Sequence, residues 1–162
     1  MADLQPTLDG VTKGRKFARG KEVFTAAQCS QCHRFANAGG AVGPELTAIS
    51  SRYGHRDILE SILEPSKVIS EQYINTLVIK KDGDDVTGRV VEENDQKLVL
   101  VTDALKQTKV EVLKSDIATR KPSKISPMPE GLVNNFTQDE ILDLIAYIES
   151  GGKETAAAFS SN

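Results

Sequence analysis

Cys29-Ser30-Gln31-Cys32-His33 sets two thiols three positions apart, with an imidazole directly after the second. At this C-x-x-C-H spacing each thiol can form a thioether to one porphyrin, and the adjoining histidine can reach the iron as an axial ligand. The pattern uses both cysteines of the chain, so no thiol is left over. Two rivals are weaker. A structural zinc site wants four ligands, usually as paired half-sites, and only Cys29, Cys32, His33 and the remote His55 are on offer. A thioredoxin-like pair follows a strand and needs no histidine, whereas a helical pattern precedes Cys29. The spacing therefore points to one covalently attached haem c, bound through Cys29 and Cys32 with His33 on the iron.

The second axial position decides what such an iron does. Apart from Met1 the chain has one methionine, Met128, in Ser126-Pro127-Met128-Pro129. Its prolines stiffen the loop and remove backbone donors, so a weak thioether can be held on iron at little entropic cost. Soft sulfur favours the ferrous state. His33 and Met128 are thus the expected metal ligands. Met128 as a core filler and His55 as a nitrogen ligand are the alternatives.

These residues must be positioned by the rest of a 162-residue chain, long enough for one domain with an inserted module. Hydrophobic residues make up 39% and charged residues 27%, as in ordinary globular proteins. The net charge of −3 argues against a nucleic-acid partner. No apolar run reaches the roughly 18 residues of a membrane span. The start, Met1-Ala2-Asp3-Leu4-Gln5-Pro6, lacks the basic and apolar stretches of a signal peptide. Haem c is attached outside the cytoplasm, so the expectation is an exported, periplasmic protein, either in mature form or as a domain cut from a longer chain.

Spacings of three and four put Gly20, Val23, Phe24 and Ala27 on one helix face over residues 12–28. Residues 34–45 read as a loop ending in Gly43-Pro44. Leu46–Tyr53 reads as a short helix and Asp57–Leu63 as a better one, stopped by Pro65. The period then changes: Tyr73–Lys81, Val86–Glu92, Leu98–Thr102 and Thr108–Val112 read as four antiparallel strands. Leu98-Val99-Leu100-Val101 lacks alternation, as in a strand buried on both faces. Thr137 with Glu140 forms a capping box. Ile141, Leu144, Ile145 and Ile148 make the stripe of a last helix, ended by Gly151-Gly152. Lys13, Arg15, Lys16, Arg19 and Lys21 read first as a solvated helix face and second as a steering patch.

Gly20-Lys21-Glu22-Val23-Phe24, Cys29–His33, Gly43-Pro44-Glu45-Leu46 and Leu144-Ile145-Ala146-Tyr147-Ile148 together resemble the class I cytochrome c family. The resemblance implies that the first and last helices cross, pairing Gly20 and Phe24 with Leu144 and Tyr147. It also implies that the Pro44 carbonyl accepts the His33 N–H and that Leu46 packs on the haem face. The β segment departs from ordinary members. With Ile62-Leu63-Glu64-Pro65-Ser66, Tyr73 and Ser126-Pro127-Met128-Pro129, the whole is more similar to the haem-binding domain type of planctomycetes and verrucomicrobia. The implied fold is mainly α: a class I cytochrome c core over 12–70 and 119–151, an inserted antiparallel β module of about four strands over 71–118, and flexible ends at 1–11 and 152–162. The implied role is one-electron transfer to a redox partner protein or a fused redox domain, without enzymatic activity. The alternative is a catalytic or gas- or peroxide-binding haem with an open or labile sixth position.

Overall fold

The computed structural model describes residues 5–160, which divide into two compact units. One holds the chain up to Pro65 and from Pro129 onward; the other holds Ser66–Met128. Helical residues make up 34% and strand residues 24%. The structure thus combines helices with a sheet of antiparallel strands, as expected, while the strand share does not support the expected mainly α class. No helix among the described residues is long and apolar enough to cross a membrane.

The helical unit is built on α1 (Phe17–Ala26), α2 (Cys29–Cys32), α3 (His55–Leu63) and α4 (Gln138–Glu149). α4 starts at the expected capping box: Thr137 N–H donates to Glu140 Oε2 at 2.7 Å, and Glu140 N–H donates back to Thr137 Oγ1. Every residue from Ile141 to Ile148 is buried, so α4 is central rather than amphipathic. α1 lies against it through Gly20, where a Cβ would stand 2.7 Å from Tyr147 Cβ and closer still to the Asp143 carbonyl. The crossing is thus a close backbone approach that only glycine permits. Phe17, Phe24 and Phe35 surround Tyr147 at centroid distances of 5.1–5.6 Å.

Asp143, between the stripe residues of α4, is fully buried. It accepts hydrogen bonds from Arg19 Nε at 2.5 Å and from Lys16 N–H, just ahead of α1, at 3.2 Å. Arg15 stands 3.5 Å away. Arg15 and Arg19 are therefore locked to α4 and do not form the solvated face read from the sequence. Leu46–Tyr53 is not a helix beyond a single 3-10 turn at Ile49–Ser51. The ends are also more ordered than expected. Leu8 and Val11, in the 3-10 segment Gln5–Thr12, are buried, and Phe159 stacks edge-on against Phe17 at 5.3 Å. The rest of the expected flexible ends, residues 1–4 and 161–162, lies outside the described residues, as does most of the Met1–Pro6 start.

Besides a short β1 (Arg34–Phe35) and β2 (Ala38–Gly39) pair, the strands are β3 (Thr76–Lys80), β4 (Asp85–Glu93), β5 (Lys97–Asp103), β6 (Thr108–Leu113) and β7 (Ile117–Pro122). The last five form one antiparallel sheet in the order β6-β5-β4-β3-β7. The module thus has five strands, not four. The extra strand returns to pair with β3, matching Leu77 to Lys121 and Val78 to Arg120. That pairing, with Ser123 N–H on the Asn75 carbonyl (2.8 Å) and Ser126 N–H on Ser66 Oγ (3.1 Å), draws residues 66–70 and 119–128 into the sheet unit. The expected module limits of 71–118 widen accordingly. Val78, Leu98, Leu100 and Val112 form its core. Val99 and Val101 are buried too, so β5 is covered on both faces as its unbroken apolar run suggested. Glu93, on β4, pairs with Lys114 after β6 (2.9 Å) and with Arg120 on β7 (3.0 Å).

Candidate functional site

The chain path around the motif is set by a sharp change of direction. α1 ends with Ala27 N–H on the Val23 carbonyl, and Gln28 takes φ +62°, a left-handed C-terminal turn. This swings Cys29–Cys32 into a separate single turn, and His33 N–H closes it on the Cys29 carbonyl at 2.9 Å. Ala36 and Asn37 follow with φ of +47° and +67°, the two-residue turn that tight hairpins need. The loop read over 34–45 therefore contains the β1–β2 hairpin, anchored by buried Phe35. The return segment is stitched back over the motif: Gly40 N–H to the Ser30 carbonyl, Val42 and Gly43 N–H to the Cys32 carbonyl, and Leu46 N–H to the Arg34 carbonyl, all at 2.9–3.0 Å.

This stitching brings Pro44 beside the imidazole. His33 Nδ1 lies 2.7 Å from the Pro44 carbonyl oxygen. A carbonyl can only accept, so Nδ1 carries the proton and the neutral ring keeps its Nε2 lone pair for a metal. Burial lowers the His33 pKa and so favours that neutral form, and the bond to Pro44 partly opposes the shift. Gly43 lies flat against the ring: a Cβ there would stand 2.7 Å from Cε1 and 2.9 Å from Nδ1. Sequence reading placed Gly43 in a loop and gave it no task; a glycine just before the accepting proline was the available sign.

Cys29 and Cys32 are free and half-buried. Burial pushes the Cys29 thiol up to about 11 and raises Cys32 as well. Raised thiols are poor nucleophiles at neutral pH, contrary to the needs of a redox pair. Among the described residues no group of three or more His, Cys, Asp or Glu is arranged to hold a metal ion, so the zinc alternative finds no ligand set. Two unpaired thiols and an imidazole with a free Nε2, on one short hydrogen-bonded segment, are the donor set that haem c requires.

The remaining candidates are placed as follows. Leu46 is half-buried in the return segment. His55 opens α3 and stands 3.3 Å from Glu149 Oε1 at the end of α4, a partner that occupies one of its ring nitrogens. Met128 belongs to the sheet unit, half-buried, with its N–H on Ser126 Oγ at 3.1 Å. Asp143 was missed, although Arg15/Arg19 and Asp139/Asp143 share a four-residue spacing that fits one helix against the other.

Residues 17–78 match the Cytochrome c family model. The match supports a c-type cytochrome, with covalently bound haem c and haem-based electron transfer. Cytochrome c domains are generally electron carriers and typically extracytoplasmic. The matched stretch runs from the start of α1 through the C-x-x-C-H motif into β3, and leaves out Met128 and α4. No curated protein matches the chain.

Proposed function

We propose that this chain is a mono-haem c-type cytochrome domain that carries one electron at a time. Cys29 and Cys32 would hold a haem through thioethers, and His33 Nε2 and the Met128 sulfur would ligate its iron. When bound, haem supplies the Fe(III)/Fe(II) couple. The observation that carries this reading is the 2.7 Å contact from His33 Nδ1 to the Pro44 carbonyl, with Gly43 against the ring. Pro44 fixes the orientation and basicity of the imidazole. Leu46 would pack against the haem. Pro127 and Pro129 stiffen the Met128 segment, and the thioether favours the ferrous state. Keeping both His33 and Met128 as ligands through the redox change would leave little to reorganise on electron transfer. The cytochrome works outside the cytoplasm, in the periplasm, exchanging electrons with a redox partner protein or a fused redox domain rather than acting as an enzyme. The planctomycete and verrucomicrobial domain type is the subtype it fits, on Ser126-Pro127-Met128-Pro129 and the preceding sheet.

The absorption spectrum of the matured protein tests the ligand set. The expected result is a low-spin ferrous spectrum and a weak far-red sulfur-to-iron band in the oxidised form, the band being lost in Met128→Ala. A high-spin spectrum with carbon monoxide binding in the unmutated protein overturns Met128 ligation in favour of an open site. A low-spin spectrum without the sulfur band overturns it in favour of a nitrogen ligand such as His55.

A further inference from the structure

We propose that Thr47 is a positioning residue for the His33 ring: with Ala36 and Glu45 it forms a latch that holds the Pro44 carbonyl on Nδ1. The inference rests on the electron-transfer reading above. The ring and its acceptor lie on two segments joined at three levels, His33 to Pro44, Arg34 to Leu46 and Ala36 to Thr47. The third level is the latch. Ala36 N–H, in the turn after the motif, donates to Thr47 Oγ1 at 2.9 Å. The Thr47 hydroxyl in turn donates to Glu45 Oε1, and Thr47 N–H donates to the same oxygen at 2.8 Å. These two bonds hold the Glu45 carboxyl below its ordinary 4.5, so it is an ionised acceptor at neutral pH. One hydroxyl thus both gives and takes, and each bond polarises the other.

The accepting carbonyl belongs to the peptide between Pro44 and Glu45. Folding the Glu45 side chain forward onto Thr47 fixes the Glu45 backbone, and with it the plane of that peptide. Leu46 N–H, on the Arg34 carbonyl at 2.9 Å, ties the next peptide instead. Glu45 is exposed, so its bonds add little to stability; their consequence is the direction of the Pro44 carbonyl. The latch is also backed from behind. The two glycines that end α4 lie against its two anchors: a Cβ at Gly151 would stand 2.7 Å from the Thr47 carbonyl oxygen, and one at Gly152 would stand 3.1 Å from Ala36 Cβ. Gly151-Gly152 therefore seats Thr47 and Ala36 as well as stopping the helix. The end of α4 and the orientation of the imidazole are linked through Thr47.

The test uses the matured haem protein and two readings: solvent exchange of the His33 Nδ1 proton, followed by NMR in the reduced form, and the midpoint potential. Thr47→Val keeps the shape and every charge and removes the hydroxyl. It is expected to speed exchange of the Nδ1 proton about tenfold or more, as the bond to Pro44 opens more often. It should also raise the potential, since a weaker bond makes the imidazole less basic. Thr47→Ser keeps the hydroxyl and should restore both readings. Thr25→Val, which removes a hydroxyl bonded to the Lys21 carbonyl inside α1, should move neither. A Thr47→Val protein that melts lower with both readings unmoved would overturn the proposal and leave Thr47 a structural residue only. Thr47→Ser behaving like Thr47→Val would overturn it too. If Thr47→Val does not mature, Glu45→Gln decides by exchange alone, because its lost charge acts on the potential directly: faster exchange supports the latch and unchanged exchange overturns it. A high-spin ferrous protein would overturn Met128 ligation and not the latch, and the Nδ1 proton is then followed in the diamagnetic carbon monoxide adduct. Reduction by dithionite and reoxidation by ferricyanide, followed in solution, checks the electron-transfer reading separately.

Discussion

Gly43→Ala tests whether the glycine against His33 is what lets Pro44 hold the ring. The new methyl would stand 2.7 Å from Cε1, whereas ordinary contact begins near 3.4 Å. The ring and the 43–44 backbone must then separate by the difference, 3.4 minus 2.7, or about 0.7 Å. Falling along the Nδ1···O contact, that displacement stretches it from 2.7 Å to about 3.4 Å, past useful hydrogen-bond length. The lost bond costs about 1 kcal/mol, and forced overpacking adds about 1–3 kcal/mol. The redox effect has a definite sign. A weaker bond at Nδ1 makes the imidazole less basic, which destabilises the ferric state more than the ferrous one. If about 1 kcal/mol acts on the ferric state alone, the midpoint potential rises by roughly 40 mV for one electron. Potentiometric titration and thermal unfolding of the matured protein read both effects. Gly10→Ala is the control, since its methyl would meet nothing closer than 3.9 Å. A Gly43→Ala protein with unchanged potential and stability would refute the reasoning.

Asp143→Ala removes a fully buried carboxylate and leaves Arg15, Arg19 and the Lys16 N–H without their shared acceptor. A loss of about 2–4 kcal/mol is expected from urea unfolding, tempered by the partial exposure of Arg19. Asp143→Asn, which keeps an acceptor for Lys16 N–H, should lose less; equal losses would show that the hydrogen bond to α1 contributes nothing. Lys114 first, and then Arg120, hold the Glu93 carboxyl below its ordinary 4.5. A lowered carboxyl stabilises the fold above that ordinary value, and the contribution is lost as pH falls through the lowered one. Glu93→Gln should therefore lower the unfolding midpoint at pH 7 and narrow the gap between midpoints at pH 7 and below pH 4. Parallel pH curves for the two proteins would exclude a role for this pair in the sheet.

The sequence alone determined the chemistry that is local in the chain. The C-x-x-C-H spacing, the Thr137/Glu140 box, the closing Gly151-Gly152 and the apolar run of β5 each depend on residues within one or two turns, where spacing and propensity act directly. Other features joined residues far apart. β7 was invisible because Ile117–Pro122 is polar and mostly exposed, and its partner is β3 rather than the neighbouring β6. Its identity as a strand comes from pairing, which is context and not propensity. Arg15 and Arg19 resembled any solvated basic face until α4 supplied buried Asp143, since the burial of a charge is decided by its partner. Gly43 shows the division within a single site. The sequence supplied the histidine and the proline; only the return of residues 38–46 over the motif brought the Pro44 carbonyl to Nδ1, because a hydrogen bond of this kind depends on distances that backbone closure sets.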